Sequence, residues 1–393
     1  MPRTSVLVAG AEPTGLALAC DLRRRGIDAE VVEKLERAPV TTRALGIQPR
    51  GRQILDRLGA LGDLAQITRP NERVDILVDG KPSAHIDMGS WQGPDRETPL
   101  RAPQTAIEER LRARLSELGA EVQWACAVTD IRQAADGIDV LLCDKEGERT
   151  VHAEWLIGCD GAHSVCRKLI GAKFDGSAYP QTFLLGDVRL TGARDSGPTI
   201  YLRSGKLLVT APLPSGQWRI GVALPPGDPL RVRGGEGLTA DRDKNSTSIE
   251  EGLARLRDLY ADYSGDSAAR LSDATWLSVF RIHRRMASTF RNGRVLIAGD
   301  AAHLTSPLGG QGVNTGLNDA FNLGWKLALV IEGRADARLI DTYEAERRRA
   351  VERIDRATAA WTSVLFGDSL GARFVRRWIA LPAMRWSIVQ NGF

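Results

Sequence analysis

The chain has 393 residues and a formal net charge of +4, from 53 Lys and Arg against 49 Asp and Glu. This length predicts about two domains and a core large enough to fold without disulfides or a structural metal. The basic residues are scattered, so we expect no nucleic-acid partner. No segment reaches the ~20 apolar residues of a membrane span, and an apolar run starts at Ser5, so we expect neither a membrane anchor nor export.

Cysteine usage points to a reducing compartment. The five cysteines form an odd set without a C-x-x-C spacing: Cys20, Cys126, Cys143, Cys159 and Cys166. Such a set predicts free thiols in the cytoplasm, with Cys159 and Cys166 as small core residues. The five histidines lack the Cys or carboxylate spacing of a metal site, so no metal is expected. The oligomeric state, monomer or homodimer, stays open.

The start of the chain predicts a βαβ unit. The run "SVLVAG" predicts a buried strand, "PTGLALACDLRRRG" a helix that ends at Gly26, and "DAEVVEK" a second buried strand. Two amphipathic helices are predicted next, in "RGRQILDRLGALGDLA" and "TAIEERLRARLSELG". Their apolar faces consist of Ile54, Leu55, Leu58, Leu61 and Leu64 in the first, and Ile107, Leu111, Leu115 and Leu118 in the second.

A second domain is predicted where the hydrophobic pattern of the sequence changes, at 74–99 and from about 176 to 224. Short alternating runs such as "VDILVDG" and "TIYLRSGKLLVTAPL", broken by Gly and Pro, are typical of an antiparallel sheet. The following segment, 225–248, is polar and rich in Gly and Pro, which predicts a surface loop. Its composition favours a plain connector over a substrate lid.

Strand-to-helix patterns flank this sheet. The segment "EWLIGCDGAHSVCRK" predicts a strand that ends at Asp160 and then a helix, and "GRVLIAGD" predicts a strand that ends at Asp300. A long helix is predicted in "LNDAFNLGWKLALVIEG". We therefore expect an α/β fold in which one domain is interrupted by the other. The predicted segments are 1–73, 100–175 and 276–360 for a Rossmann-like domain, 74–99 and 176–275 for a mixed or antiparallel sheet domain, and 361–393 for a C-terminal helical tail.

The stretch "LVAGAEPTGLALA" matches a dinucleotide-binding turn with one departure. Gly10 allows the tight turn and Gly15 lets helix and strand pack closely, but Glu12 stands where a second glycine lets the backbone approach a pyrophosphate. Glu33, 23 residues after Gly10, is placed to accept hydrogen bonds from a ribose. Alone, this pattern also fits an ordinary packing turn.

The stretch "VLIAGDAAHLTSPLGGQGVNTGLNDA" carries the most chemistry. Asp300, predicted at a strand end, is suited to accept hydrogen bonds from sugar or ribityl hydroxyls. The glycine-rich "GGQGVN" before a helix offers backbone N–H groups to a developing anion, such as the pyrimidine edge of a reduced flavin. Taken singly, this stretch also fits a structural turn.

In combination these motifs resemble the single-component FAD-dependent aromatic hydroxylases, which have the para-hydroxybenzoate hydroxylase fold. The nearest branch is that of the actinomycete polyketide and phenol hydroxylases, which act in antibiotic biosynthesis. The resemblance covers nearly the whole chain and rests on "GAEPTG", Glu33, "TTRALGI", "PQTAIEERL", "GCDGAHSVCRK" and "GDAAHLTSPLGGQGVNTGLNDAFNLGWKLA". Two features depart from the family pattern: Glu12, and the absence from this sequence of the thioredoxin-like C-terminal domain that many relatives carry.

By motif position the resemblance implies a set of FAD contacts. These are Gly10, Pro13, Thr14 and Gly15 for the pyrophosphate, Glu33 for the ribose, Arg43 and Gln104 for the flavin and phosphate side, the backbone of Val128 for the adenine, Asp300 for the ribityl-pyrophosphate, and Pro307, Gly312, Val313 and Asn314 for the isoalloxazine. Asp160 and Arg167 resemble a second fingerprint that serves both FAD and the nicotinamide donor.

The resemblance also implies a reaction. NADPH or NADH reduces FAD, O₂ then gives a flavin C4a-hydroperoxide, and this hydroxylates a phenolic or polycyclic, polyketide-like aromatic small molecule. The protein positions the substrate and excludes water, so no catalytic residue is assigned. Two alternatives stay open: Baeyer–Villiger oxygen insertion on the same scaffold, and a catalytically impaired protein that binds flavin or an intermediate, for which Glu12 is the support.

Four further residues have plainer interpretations beside the functional ones. His303 is expected to be a buried residue bonded to a backbone carbonyl rather than a catalytic base. His283, among arginines, is expected at a domain interface rather than on a metal. Tyr179 and Tyr201 are expected to pack within the sheet, with hydrogen bonding to a phenol as the alternative.

Overall fold

The computed structural model describes residues 2–39, 45–70, 73–87, 99–193, 197–203, 205–233, 249–305 and 310–366. The chain forms two compact units. The first comprises Met1–Ile67, Ala102–Ser177 and His283–Arg356, and the second comprises Thr68–Arg101, Ala178–Ile282 and the described residues from Ala357 onward. The boundary predicted at 275–276 falls within one strand, Arg270–Ala287, and the two compact units divide within the same strand, between Ile282 and His283.

The strands in chain order are β1 (Arg3–Ala9), β2 (Ala29–Val32), β3 (Arg69–Pro70), β4 (Arg73–Val78), β5 (Lys81–Asp87), β6 (Leu100–Arg101), β7 (Val122–Gln123), β8 (Ala127–Gln133), β9 (Ile138–Asp144), β10 (Gly147–Gly158), β11 (Phe174–Thr191), β12 (Thr199–Arg203), β13 (Lys206–Pro212), β14 (Trp218–Ala223), β15 (Arg270–Ala287), β16 (Arg291–Asn292), β17 (Val295–Ile297) and β18 (His303–Leu304). The helices are α1 (Pro13–Arg23), α2 (Pro49–Leu58), α3 (Leu64–Ile67), α4 (Gln104–Glu117), α5 (Val165–Leu169), α6 (Pro229–Arg233), α7 (Ile249–Ser264), α8 (Gln311–Ile331) and α9 (Asp341–Phe366). Two 3-10 helices span Gly299–Ala301 and Ala337–Leu339.

The first unit is built on a largely parallel sheet. Its strand order is β16-β17-β10-β1-β2-β7, and β17, β10, β1, β2 and β7 run parallel. Val6, Leu7 and Val8 in β1 are fully buried, as expected for a parallel strand that is covered on both faces. This arrangement confirms the predicted Rossmann-like α/β fold.

Local sequence signals place the helices of this unit, with one correction. α4 occupies the predicted segment and buries Ile107, Leu111 and Leu115. α2 is shorter than predicted, because Gly59 takes a left-handed conformation (φ +73°) that ends the helix at Leu58. The predicted single helix through "RGRQILDRLGALGDLA" is therefore wrong: α3 is a separate short helix.

Two further features of this unit differ from the expectations. The antiparallel hairpin β8–β9, which pairs with β10, was not predicted. The strand expected to end at Asp300 ends at Ile297, and Asp300 lies in the 3-10 helix that follows. The reason is Gly299, whose positive φ of +61° is incompatible with a continued strand.

The second unit contains the predicted mixed sheet. Its strand order is β15-β11-β14-β13-β12-β4-β5. From β11 to β5 the pairs are antiparallel except for the parallel pair β12–β4. A buried cluster that includes Leu184, Ile220 and Val222 also contains Leu256 and Tyr260 of α7, a helix that was not predicted. α6 lies within the predicted loop 225–248, whose remainder from 234 lies outside the described residues, as does most of the predicted tail, from 367. No described helix is long and apolar enough to cross a membrane.

Candidate cofactor site

Three turns meet at one edge of the parallel sheet. They follow β1, β10 and β17, which are neighbouring parallel strands and so present their carboxyl ends at the same edge. The turns are bonded to one another, since Cys159 N donates to Ala9 O (2.7 Å) and Ala298 N donates to Gly158 O (2.9 Å). The carboxyl edge of such a sheet is where α/β proteins bind their ligands.

The first turn has no space for side chains at its two glycines. Gly10 has φ +111°, and a Cβ there would lie 2.2 Å from Cys159 O. A Cβ on Gly15 would lie 2.0 Å from Gly10 O. Both positions therefore require glycine, one for its backbone conformation and both for close packing.

Glu12 occupies a position that does not require glycine for its backbone. Its φ of −79° and ψ of 174° are extended values that any residue adopts, and it forms the N-cap of α1 without a side-chain capping bond. The side chain is exposed. The substitution therefore leaves the turn's conformation intact and changes only its charge and the space in front of it.

Glu33 links the first turn to the end of β2. Its carboxylate is buried and accepts hydrogen bonds from Ala11 N (2.9 Å) and Leu35 N (3.0 Å). Each carboxylate oxygen has a further lone pair, so the group retains acceptor capacity for ligand hydroxyls. Glu33 therefore orders the turn, and its contact with a ribose stays a prediction.

Asp160 organises the second turn. Its carboxylate accepts from Ser164 Oγ (2.5 Å), Val165 N (2.7 Å) and Cys166 N (3.0 Å). These contacts satisfy backbone donors at the start of α5. The structure thus gives Asp160 a role in shaping the turn.

Arg167 connects the second turn to the third. Its guanidinium is buried, donates to Ala301 O (2.9 Å) and to Ala162 O (2.8 Å), and lies 3.8 Å from the centre of the Phe174 ring. Burial lowers the pKa of Arg167, which Asp160 opposes through its charge. A planar group with several fixed donors is well suited to cross-link two turns in this way.

The third turn is anchored from α8 by Asp319, which the sequence analysis missed. The Asp319 carboxylate is fully buried and accepts from Gly299 N (2.9 Å), His303 Nε2 (2.7 Å) and Arg347 Nε (2.6 Å). It thereby holds the residue that precedes Asp300, whose own side chain is exposed. A carboxylate beside the apolar Leu317 and Ala320 in "TGLNDAFNLG" was the available signal.

The same contacts correct the expectation for His303. It is buried as predicted, but its partner is the Asp319 carboxylate rather than a backbone carbonyl. Burial opposes the ionisation of Asp319, but the charges and hydrogen bonds of His303 and Arg347 outweigh it and lower the pKa of Asp319 to about 2. Asp319 is therefore ionised at neutral pH.

Asn314 fixes the N-terminal turn of α8. Its Oδ1 accepts from Gln48 N (2.8 Å), and its Nδ2 donates to Gly46 O (3.1 Å) and Gly310 O (2.7 Å). Gly310, with φ +64°, is the N-cap, and no side-chain capping bond is formed there. Gly312 and Val313 belong to this first turn, whereas Arg43 and Pro307 lie outside the described residues.

Gln104 and Val128 complete the predicted set. Gln104 starts α4, and its Nε2 donates to Glu108 Oε1 (2.8 Å). Burial raises the pKa of Glu108, against the effects of Gln104 and Arg112. Val128 is buried in β8, and β8 lies next to Glu33, whose carbonyl accepts from Cys126 N (2.9 Å).

Residues 3–358 match the protein family described as "FAD binding domain". This chain belongs to that family. FAD carries a pyrophosphate, a ribose and a flavin ring, and the structure offers matching groups. A helix N-terminus faces the close-packed glycine turn, a buried carboxylate follows β2, and a second helix N-terminus follows the third turn. The described residues therefore fit FAD.

Individual relatives extend the comparison. The chain is 35% identical to 6-methylpretetramide 4-monooxygenase from Streptomyces rimosus over 349 residues, 87% of this chain but 58% of the relative. It is 32% identical to dialkyldecalin synthase from Streptomyces rugosporus over 365 residues, 92% of this chain and 73% of the relative. The crystal structure of p-nitrophenol 4-monooxygenase from Pseudomonas putida DLL-E4 is similar with a TM-score of 0.87 at 25% identity, covering 100% of this chain and 97% of that one.

The remaining candidates are two tyrosines, one histidine and two cysteines. Tyr201 is buried in the core of the second unit, edge-on to Tyr260 with ring centres 6.5 Å apart, and Tyr179 packs against a cluster of the same unit. His283 is half-buried. Cys159 and Cys166 are buried free thiols, as predicted, and burial raises the pKa of both. Among the described residues, no group of His, Cys, Asp and Glu is arranged to hold a metal.

Proposed function

We propose that this chain is a FAD-dependent monooxygenase that uses NADPH or NADH and O₂ to hydroxylate an aromatic small molecule, phenolic or polycyclic and polyketide-like. The observation that carries the proposal is the meeting of three turns, at Gly10, Asp160 and Asp300, on one carboxyl edge of the parallel sheet. The monooxygenases among its relatives support the same reaction class.

The turn residues supply the binding chemistry. The turn at Gly10 and Gly15 brings the positive end of α1 to the pyrophosphate, and Glu33 offers its carboxylate to the ribose. Asp300 would accept hydrogen bonds from the ribityl chain; its side chain is exposed, beside the anchored Gly299. These roles follow from the family motif and from the geometry of each turn.

The N-terminus of α8 supplies electrostatic stabilisation. Bound FAD provides the redox chemistry, by which it takes electrons from a nicotinamide and passes one oxygen atom of O₂ to the substrate. The helix has 21 residues, and its first turn, with Gly312 and Val313, presents backbone N–H groups without a side-chain cap. Such a terminus favours negative charge on the flavin ring. The Asn314 contacts keep this turn in place.

Positioning and water exclusion are the protein's main contributions. We assign no catalytic acid or base, because the residues examined for that role have structural partners: His303 is bonded to Asp319, and Tyr201 lies in a core. Oxygen transfer from a flavin needs an ordered, dry site more than a proton relay.

The test is the fate of ¹⁸O₂. Purified protein is supplied with FAD, NADPH or NADH, and a panel of phenols and polycyclic aromatics, and products are analysed by mass spectrometry. We expect one ¹⁸O atom per product, as a new hydroxyl group. An ¹⁸O atom in an ester would instead establish Baeyer–Villiger insertion. Product formed without ¹⁸O or reductant would establish a non-redox role; one relative is named a dialkyldecalin synthase rather than a monooxygenase.

A pair of variants connects turnover to the site. Asp300→Asn removes the exposed carboxylate of the third turn and is expected to weaken FAD binding and turnover together. Asp258→Asn removes another exposed carboxylate, from α7 in the other unit, and is expected to leave both unchanged. Equal behaviour of the two variants would contradict the assigned role of Asp300.

A further inference from the structure

Glu12 places a negative charge at the position of the first turn that faces the pyrophosphate in this family. It is the N-cap of α1, its side chain is exposed, and its carbonyl accepts the first bond within the helix, from Leu16 N (3.1 Å). The next residue is Pro13, which has no N–H. The backbone donors left at this helix start are those of Thr14 and Gly15.

The magnitudes of the charges decide the local field. A helix N-terminus acts as roughly +0.5 of an elementary charge. An ionised Glu12 adds a negative charge beside it, and this charge opposes the attraction of the helix start for an anion. Gly10 and Gly15 pack closely against Cys159 and against each other, which holds the turn in place.

We propose that Glu12 makes FAD an exchangeable ligand of this chain, because its carboxylate repels the pyrophosphate and sets the affinity of the site by charge. The inference rests on the proposed function only through the FAD site. Two unit charges at about 4 Å in water-like surroundings repel enough to weaken binding about fivefold, and by more where solvent is poor. The other contacts of the site remain, so binding is weakened rather than lost.

The test compares FAD dissociation constants of three proteins by flavin fluorescence at low ionic strength. Glu12→Gln keeps the size of the side chain and removes its charge. Glu148→Gln is the matched control, since Glu148 is exposed in the same unit and lies ten residues before Gly158 in β10, about 33 Å along the strand. We expect FAD to bind Glu12→Gln at least about fivefold more tightly than wild type, and Glu148→Gln like wild type.

Two further measurements distinguish an effect of the charge at position 12 from an effect of side-chain shape. Glu12→Lys is expected to bind FAD more tightly still, giving the affinity order Lys, Gln, Glu at this position. Raising the salt concentration to about 0.5 M should narrow the differences, because exposed charges are screened. Equal dissociation constants for wild type and Glu12→Gln at low salt, or a gain that salt leaves unchanged, would overturn the proposal.

The outcome is independent of turnover. If the affinities follow the expected order but no ¹⁸O-labelled product forms, the proposed function fails and the role of Glu12 stands. If labelled product forms while Glu12→Gln and wild type bind FAD equally, the role of Glu12 fails alone. Failure of all three proteins to bind FAD would overturn both.

Discussion

Replacement of Asp319 by Asn tests the anchor of the third turn. The amide has the same shape as the carboxylate, but one of its two atoms is a donor. In the native protein both oxygens accept, one from Gly299 N and His303 Nε2 and the other from Arg347 Nε. Whichever way the amide is oriented, its NH₂ group therefore faces a donor, and the half-buried Arg347 loses its counter-charge.

We expect Asp319→Asn to lower the free energy of unfolding by about 3–5 kcal/mol, the usual cost of removing one partner from a buried ion pair. Total stabilities of about 5–15 kcal/mol make this loss readily measurable by urea denaturation. Glu117→Gln is the control, since Glu117 is 64% exposed and pairs with Arg114 at the surface of the same unit. Its expected cost is below about 1 kcal/mol.

The pH dependence gives an independent readout. The pKa of Asp319 is about 2 in the folded protein, below its ordinary value, so its stabilising contribution is fully present above about pH 5 and is lost as pH falls toward 2. The stability difference between wild type and Asp319→Asn should therefore shrink over that interval. A loss of less than about 1 kcal/mol at pH 7, or a difference that persists at low pH, would refute the assigned role of Asp319.

Three further substitutions can be measured by urea denaturation and FAD titration. Gly10→Ala should lower the free energy of unfolding by about 1–3 kcal/mol more than Gly26→Ala does. Both glycines have positive φ, but only at position 10 would an added Cβ meet Cys159; equal losses would contradict the packing argument. Arg167→Lys should lower the free energy of unfolding by about 1.5–3 kcal/mol and weaken FAD binding, because a single nitrogen replaces the two that donate to separate carbonyls; wild-type values would argue against the cross-link. Ala125→Gly should raise the free energy of unfolding by about 0.5–1 kcal/mol, because glycine adopts the φ of +53° at this position without strain; a destabilised variant would show that no strain is present.

Elements with strong local signals were predictable from the sequence. The run of apolar residues in β1, Pro13 at the first position of α1 and the spacing of Ile107, Leu111 and Leu115 each act within a few residues, so local pattern is sufficient. Two other features were predicted wrongly or not at all, because a local pattern was the only information available for them too. Gly59 ends α2 although the helical spacing of apolar residues continues past it. α7, which lies between β14 and β15 in the sequence, was not predicted.

The candidate site was predictable only in part. Motif spacing predicted the glycine positions, Glu33 and Asp300 as site residues. Gly10 and Glu33 directly follow β1 and β2, whereas Asp300 lies in the 3-10 helix after β17. Their partners were not found. Asp319 is bonded to a residue 20 positions earlier and to one 28 positions later, and no local pattern connects such distant residues.

The sequence by itself determined the α/β class, the interrupted domain order and the dinucleotide turn with its unusual Glu12, because hydrophobic periodicity and glycine spacing act locally. Only the tertiary structure determined which side chains hold the three turns in place. Parallel strands bring Gly10, Asp160 and Asp300 to one edge from positions spread over 290 residues. Close packing and burial then determine that Arg167 and Asp319 are cross-links and that Glu12, with an ordinary backbone and an exposed side chain, differs from glycine chiefly in charge.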